Sequence, residues 1–248
     1  MRRYNISNNL EKSSYNSDMT NDFVGLDKLS LLDYQDRMSC VLFSKACNFR
    51  CPFCHNGLTV LESDETIPWN EVMDYLKLRR GMLDAVVVSG GEPTLLPGLV
   101  DKLKDIKSLG YEIKLDTNGT NPDLVEQYIK LGLIDYVAMD IKNSEEKYPM
   151  TSGVKQVDME SIKRSIKLLK EAGIAYEFRT TLVDEFHKLE DMDGLGSLIK
   201  GAKVLYLQKF VDRDGCIQRG LHEVNEETAN KFKEILLKYV DKVELRGY

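Results

Sequence analysis

The chain has 248 residues, of which 42% are hydrophobic and 30% are charged, and its formal net charge is −6. This length fits one large domain, and the composition supports a sizeable apolar core beneath a charged surface. Because the chain is acidic and its Lys and Arg residues are spread along it, the composition argues against binding driven by nucleic-acid phosphates. No apolar run approaches the roughly 18 residues of a membrane span, so the sequence predicts no membrane segment.

The five cysteines indicate the compartment and the kind of site. Their number is odd, and three of them lie within residues 47–54. This pattern argues against a disulfide scaffold and favours metal binding in a reducing compartment. The N-terminus lacks the apolar stretch of a signal peptide, so the sequence predicts a cytoplasmic protein.

Taken in chain order, residues 1–22 are polar and predict a flexible leader, whereas residues 23–248 predict a single core domain. The predicted strands are residues 38–43, 84–88, 111–116, 136–140, 175–183 and 204–210, with a short last one at 243–245. The predicted helices are residues 68–80, 97–109, 121–131, 159–172, 195–200 and 225–240. Strands that alternate with helices indicate parallel strands joined by crossovers, and at least six such units favour a full or partial barrel.

Polar groups follow the predicted strands. The cysteine run comes after the first strand, and the later groups are residues 89–94, 116–120, 140–143, 179–181 and 208–209. In barrels of parallel strands the active site lies at the C-terminal ends of the strands. We therefore expect these groups to meet at one rim.

The cysteine run is a CxxxCxxC motif formed by Cys47, Cys51 and Cys54. Three thiolates can bind three irons of a cubane cluster and leave the fourth iron open, whereas a structural metal site uses every ligand position. The residues alone leave two alternatives open. One is a Cys₃His zinc knuckle that uses His55, and the other is a Cys₄ site that recruits Cys40.

The remaining cysteines and histidines give weaker signals. Cys40 falls inside a predicted strand, which is typical of a small buried hydrophobic residue. Cys216 lies in a polar, turn-like segment and is predicted to be a bystander. His187 and His222 have no second ligand nearby in the sequence and are predicted to be surface residues.

Four segments resemble one known family. They are CNFRCPFCHNG, SGGEPTLLP, IKLDTNGTNP and DYVAMDIKNS. They are similar to the radical S-adenosylmethionine (SAM) superfamily, in particular to activating enzymes of glycyl-radical enzymes. The resemblance covers residues 23–248 and is strongest to the activator branch of anaerobic ribonucleoside-triphosphate reductase and its pyruvate formate-lyase relatives.

This resemblance implies an α/β fold, a partial (β/α)6 TIM-like barrel, and a SAM-dependent radical oxidoreductase. The enzyme would carry one [4Fe–4S] cluster and cleave SAM reductively to a 5′-deoxyadenosyl radical. That radical would then abstract hydrogen from a glycine of a partner protein, a glycyl-radical enzyme. The electron would come from a flavodoxin- or ferredoxin-type reductant.

The resemblance also assigns roles to individual residues. The cluster would be held by Cys47, Cys51 and Cys54, which are therefore also the residues that support catalysis. The SAM site would comprise Phe53, His55, Gly90, Gly91, Glu92, Asp116, Thr117, Asn118, Asp140, Lys142, Arg179 and Gln208. In relatives, the aromatic residue lies near the adenine and the Gly-Gly-Glu carboxylate holds the SAM amino group.

The residues Asp116, Thr117 and Asp140 predict a further ligand. Two carboxylates on neighbouring strand ends repel each other unless a cation lies between them. In the relatives, matching residues surround a small cation beside the SAM carboxylate, which we expect here too. The alternative is that Asp116 caps the following turn and Asp140 pairs with Lys142.

Two further functions stay open at this level. One is a radical SAM enzyme with a small-molecule substrate, such as a deazapurine-forming enzyme. The other is a non-catalytic iron–sulfur or zinc-binding module. Six units rather than eight predict a barrel with an open side, which could admit either a partner's loop or a small substrate.

Overall fold

A computed structural model describes residues 23–57 and 65–248. The predicted leader, residues 1–22, lies outside the described residues. In the described ranges, eight strands form one sheet in chain order. They are β1 (Phe23–Ser30), β2 (Ser39–Ser44), β3 (Ala85–Gly90), β4 (Glu112–Thr117), β5 (Tyr136–Asp140), β6 (Ala175–Leu182), β7 (Leu205–Lys209) and β8 (Val243–Arg246).

Strands β2 to β8 are parallel, and β1 pairs antiparallel with β2. Within the part of the chain that the structure describes, β1 and β8 form the two ends of the sheet. The α/β class and the partial barrel are confirmed. The parallel strands number seven rather than six, because the short run at 243–245 is a full member of the sheet.

The sequence missed β1. Its residues Phe23–Ser30 include one glycine and two charged residues, and most of them are partly or fully exposed. An edge strand with one open side does not show the continuous apolar run of a buried parallel strand. Its pairing with β2, rather than its own composition, determines its conformation.

Within residues 23–57 and 65–248, seven helices connect or flank the strands. They are α1 (Trp69–Leu78), α2 (Leu99–Ser108), α3 (Pro122–Lys130), α4 (Tyr148–Ser152), α5 (Met159–Glu171), α6 (Met192–Leu198) and α7 (Glu226–Leu236). Six were predicted, although the last ends at Leu236 instead of residue 240. Helix α4 was missed because five residues are too short to show helical periodicity. Asp158 caps α5, since its carboxylate accepts hydrogen bonds from the backbone N–H groups of Glu160 and Ser161.

The interior of the barrel has an apolar lower layer. Val41, Ala85 and Val87 form a small core there with Tyr34, which comes from the β1–β2 connection. The ring of Tyr34 lies 5.3 Å from that of Tyr136. These contacts close the N-terminal end of the parallel strands and leave the C-terminal end for the site.

None of the helices in the described ranges combines the length and apolarity needed to cross a membrane.

Candidate functional site

A cavity of about 290 Å³ lies at the C-terminal ends of the parallel strands. Its walls include fourteen of the fifteen predicted site residues. They are Cys47, Cys51, Phe53, Cys54, His55, Gly90, Gly91, Asp116, Thr117, Asn118, Asp140, Lys142, Arg179 and Gln208. The predicted convergence on one rim is thus present. Six further residues complete the walls: Phe49, Asn56, Gly57, Ser89, Thr181 and Ile217. Ser89 and Thr181 belong to polar groups that were expected at the rim, although neither was assigned a role in the site.

The three motif cysteines lie on one tight loop after β2. The backbone N–H of Cys54 donates to the carbonyl of Cys51 at 3.0 Å. The Sγ of Cys47 faces two N–H donors, the backbone of Phe49 at 3.4 Å and the amide of Asn118 at 4.0 Å. Such N–H···S contacts stabilise negative charge on a sulfur atom.

Glycines bring other segments against this loop. The backbone N–H of Arg50 donates to Ser152 at 2.9 Å, and Gly153 follows with φ +68°. A Cβ on Gly153 would lie 2.0 Å from the carbonyl oxygen of Arg50. Only glycine allows the two backbones to come this close, so the end of α4 packs against the cysteine loop and supports it.

Glu92 is the predicted site residue that does not line the cavity. Its side chain is fully buried, and its carboxylate accepts hydrogen bonds from the backbone and hydroxyl of Thr94, the hydroxyl of Thr117 and the backbone of Asn118. In this structure the carboxylate accepts from the protein's own donors, and its expected contact with a ligand ammonium stays a prediction. Glu92 holds the loop after β4, which presents Asn118 to the cavity.

Four charged side chains alternate along one wall. The guanidinium of Arg179 lies 3.3 Å from Asp116 and 2.9 Å from Asp140. Lys142 pairs with Asp140 at 3.0 Å, as the alternative interpretation expected. Asp116 does not cap the following turn; it accepts a hydrogen bond from Ser89 at 2.8 Å. Adjacent strands place these charges side by side, and Arg179 occupies the position between the two carboxylates.

The neighbouring opposite charges shift the pKa values of Asp140, Lys142 and Arg179. Burial acts to raise the pKa of Asp140, but the attraction of Arg179 and Lys142 outweighs it and lowers that pKa to about 2. Burial acts in the opposite direction on the two cations, and the neighbouring carboxylates raise the pKa of both above its usual value. Asp140, Lys142 and Arg179 therefore keep their charges at neutral pH.

A sequence profile of the Radical SAM superfamily matches residues 41–192, which is more than half of the chain.

The chain belongs to the Radical SAM superfamily.

The curated relatives include a protein of Methanocaldococcus jannaschii named "Putative glycyl-radical enzyme activating enzyme MJ1227". It is 34% identical over 229 residues, which are 90% of this chain and 94% of the relative. Two solved structures share the fold. A domain of pyruvate-formate lyase-activating enzyme from Bacteroides vulgatus has TM-score 0.54 and 20% identity, covering 66% of this chain and 99% of that one. SuiB of Streptococcus suis bound to S-adenosylmethionine has TM-score 0.64 and 16% identity, covering 84% and 50%.

Membership of this superfamily implies a [4Fe–4S] cluster and SAM, and the donor set fits both. All three thiols open into one cavity together with polar groups from five neighbouring strands, β3 to β7. Burial raises the pKa of Cys47 to about 11 and that of Cys51 to about 12. Because iron binds thiolates, binding of a cluster by these cysteines would release protons.

A zinc knuckle fits less well. The ring of His55 stacks on Phe210 at 5.6 Å, and its Nε2 lies 2.8 Å from the carbonyl of Val211. Within residues 23–57 and 65–248, no three Cys, His, Asp or Glu side chains are arranged to hold one metal ion. Cys40 is fully buried in β2, as the sequence predicted.

The sequence missed how the loop after β7 clamps the cysteine loop. The backbone N–H of Gln218 donates to the carbonyl of Pro52 at 2.8 Å. A Cβ on Gly215 would lie 2.2 Å from the carbonyl of His55. Cys216, in the same loop, is buried against Phe53, with 4.0 Å between its Sγ and the carbonyl oxygen. The polar composition of this segment hides a packing role that only the tertiary structure reveals.

The position of His187 contradicts a second prediction from the sequence. The sequence predicted a surface residue, but the side chain is fully buried and bonded to the main chain of Lys142. His222 is exposed, as predicted, and its Nδ1 lies 2.7 Å from Glu185. A single histidine without a neighbouring ligand residue gives no sequence signal that distinguishes these two environments.

Proposed function

We propose that this chain is an activating enzyme that generates a glycyl radical on a partner protein. The observation that carries the proposal is the 34% identity to a relative with an activating-enzyme name, extending over 90% of this chain. The cavity supports it, because thiols and alternating charges open into the same space. When bound, the cluster supplies one electron for cleavage of SAM to methionine and a 5′-deoxyadenosyl radical, which removes a hydrogen atom from the partner's glycine.

Residues of this chain would bind and orient the cluster and SAM. Cys47, Cys51 and Cys54 would hold the cluster. Lys142 and Arg179 place positive charge at the cavity wall and would attract the SAM carboxylate. The backbones of Gly90 and Gly91, Phe53, His55 and Gln208 would contact the rest of SAM, with the aromatic ring beside the adenine; Thr117 and Asn118 close the adjacent wall.

A small cation beside Asp116 and Asp140 remains a prediction from the sequence. Arg179 already lies between these carboxylates and supplies positive charge there. A titration of SAM binding with Na⁺, K⁺ and Mg²⁺ in chelated buffer tests the prediction. Dependence on one ion supports a cation site, and equal binding throughout contradicts it.

For the partners, we propose an anaerobic ribonucleoside-triphosphate reductase as the glycyl-radical enzyme and a flavodoxin- or ferredoxin-type protein as the reductant. The motifs that resemble the reductase activators support the first choice. All five cysteines are unpaired in the structure, which agrees with the reducing, cytoplasmic location that we propose.

The first experiment tests the chemistry. The purified chain is reconstituted anaerobically with iron and sulfide, reduced, and incubated with SAM. We expect about four irons per chain and formation of 5′-deoxyadenosine. Cys51→Ala is expected to lose both. Cys216→Ala, outside the motif, should keep the iron. A loaded cluster without any 5′-deoxyadenosine would contradict radical SAM activity.

The second experiment tests the partner. Adding a reductase with an intact glycyl-radical loop should produce the doublet of a glycyl radical in electron paramagnetic resonance. A reductase whose loop glycine is replaced by alanine is the matched control. If 5′-deoxyadenosine forms but no competent reductase gives a doublet, the reductase is not the partner. The favoured hypothesis is then a small-molecule substrate.

A further inference from the structure

A buried histidine joins two loops at the rim of the cavity. His187 has no exposed surface, and it lies in the turn after β6. Its Nε2 is 2.8 Å from the backbone carbonyl of Lys142, which follows β5. Its Nδ1 is 3.1 Å from the backbone N–H of Val183. His187 lines no part of the cavity, so its role must act through other residues.

The partners fix the tautomer of His187. A carbonyl can only accept, so Nε2 must carry the proton that bonds to Lys142. Nδ1 then accepts from the N–H of Val183. The carbonyl of Val183 also lies 3.1 Å from Nδ1, but it already accepts the backbone N–H groups of Phe186 and His187. A neutral ring with hydrogen on Nε2 satisfies every group, and burial lowers the pKa of His187, which favours that neutral form.

The same turn is bound to the rim at further points. The side-chain amide of Asn143 donates to the carbonyl of Phe186 at 2.8 Å. In β6, just before the turn, the hydroxyl of Thr180 donates to the carbonyl of Ile141 at 2.8 Å. The Phe186 ring packs 5.9 Å from the ring of Phe53, inside the cysteine motif. The turn therefore connects the segment that carries Lys142 with the loop that carries the cysteines.

We propose that His187 is a positioning residue of the SAM site, which holds the main chain of Lys142 so that its ammonium faces the cavity beside Asp140. Lys142 is a cavity-lining cation whose side chain is only 14% exposed, so its reach is set by where its backbone sits. The inference rests on the proposed SAM-dependent function. It adds a residue that touches neither SAM nor the cluster but determines how tightly SAM binds.

Two substitutions of His187 test the roles of its two ring nitrogens separately. In His187→Gln the side-chain amide can reach the Nε2 position and keep the bond to Lys142. In His187→Asn the shorter side chain can serve Val183 but cannot reach Lys142. SAM affinity is measured on the cluster-loaded chain, from the change that added SAM produces in the electron paramagnetic resonance spectrum of the reduced cluster.

We expect iron content to match the unmodified chain in both variants. SAM affinity should fall about tenfold in His187→Asn, the loss that one net hydrogen bond of about 1.4 kcal/mol corresponds to. It should stay within about threefold in His187→Gln. In a Lys142→Met background, His187→Asn should cause no further loss, because the residue through which it acts is gone.

Unchanged SAM affinity in His187→Asn, or the same tenfold loss in the Lys142→Met background, would overturn the proposal. If His187→Asn does not load iron, nitrogen-15 chemical shifts of His187 in the oxidised, loaded chain still decide: a neutral ring protonated on Nε2 supports the proposal, and a proton on Nδ1 contradicts it. If the unmodified chain itself neither binds nor cleaves SAM, the proposed function fails instead, which is a separate outcome.

Discussion

At the scale of single residues, the site depends on buried polar groups whose hydrogen-bond partners decide their role. Glu92 shows this most clearly, since its motif predicts a ligand contact while its carboxylate is saturated by Thr94, Thr117 and Asn118. A buried acceptor that loses a partner costs the full desolvation of that group. Such residues support the cavity without facing it.

Glu92→Gln is expected to destabilise the chain by about 1–3 kcal/mol, because the amide NH₂ faces an N–H donor in either orientation. Equilibrium unfolding in urea measures this loss. Glu145→Gln is the matched control; Glu145 is an exposed partner of Lys163, and its replacement should cost less than about 0.5 kcal/mol. Equal stability of the two variants would contradict the bracing role of Glu92.

Asp140 predicts a pH dependence. Its pKa falls from 3.8 to about 2 on folding, so the ionised form stabilises the native state. This contribution is complete above about pH 4 and is lost as the pH falls through 2. The difference in unfolding free energy between the unmodified iron-free chain and Asp140→Asn should be about 1–2 kcal/mol at pH 6 and shrink toward pH 2. A difference that is constant from pH 6 to pH 2 would contradict the shift.

At the scale of elements, the cysteine loop takes its shape from segments distant in sequence. The end of α4 and the loop after β7 both approach its backbone at glycines, Gly153 and Gly215. Residues 45–56 of the loop form no helix or strand. Its ability to hold a cluster therefore depends on these two supports.

Gly153→Ala and Gly132→Ala form a matched pair. Both glycines end a helix with positive φ, +68° and +65°, so each substitution costs about 1 kcal/mol of backbone strain. Gly132 has nothing within 4 Å of an added Cβ, whereas at Gly153 the Cβ would meet the carbonyl of Arg50. We expect iron content to fall only in Gly153→Ala. Full iron loading of both variants would show that the contact does not support the site.

At the scale of the whole molecule, an ionic cluster joins four strands inside the barrel. Glu177 on β6 lies 3.8 Å from Lys114 on β4 and 3.3 Å from Arg246 on β8. It also accepts the hydroxyl of Tyr136 on β5 at 3.1 Å. The other side of Lys114 faces Asp116 at 3.6 Å, so the cluster continues into the charged wall of the cavity. The barrel interior is thus polar on this side and apolar toward β2 and β3.

Glu177→Ala should destabilise the chain by about 1–3 kcal/mol, because it removes one of the two carboxylates beside buried Lys114 and the acceptor of the Tyr136 hydroxyl. Urea unfolding of the purified chain measures the loss. The double variant Lys114→Met/Glu177→Leu removes both charges and should be more stable than Glu177→Ala. A double variant that is less stable than Glu177→Ala would show that the cluster is not the cause.

Much of the fold follows from local sequence. The run Ala85–Val88 is completely buried, and its apolar composition predicts a strand covered on both faces. The order of strands and helices then predicts a parallel sheet, and a parallel sheet brings the strand ends to one rim. Edge strand β1 and helix α4 escaped prediction because one has an exposed face and the other is a single short turn.

The sequence by itself determined which chemical groups stand at the rim, since each follows a strand whose direction the alternation of elements sets. Only the tertiary structure decided which way those groups point. It turned Glu92 away from the cavity, placed Arg179 between two carboxylates from neighbouring strands and buried His187 beneath Lys142. The physical reason is that side-chain direction and burial depend on contacts between residues far apart in the chain, which no local pattern records.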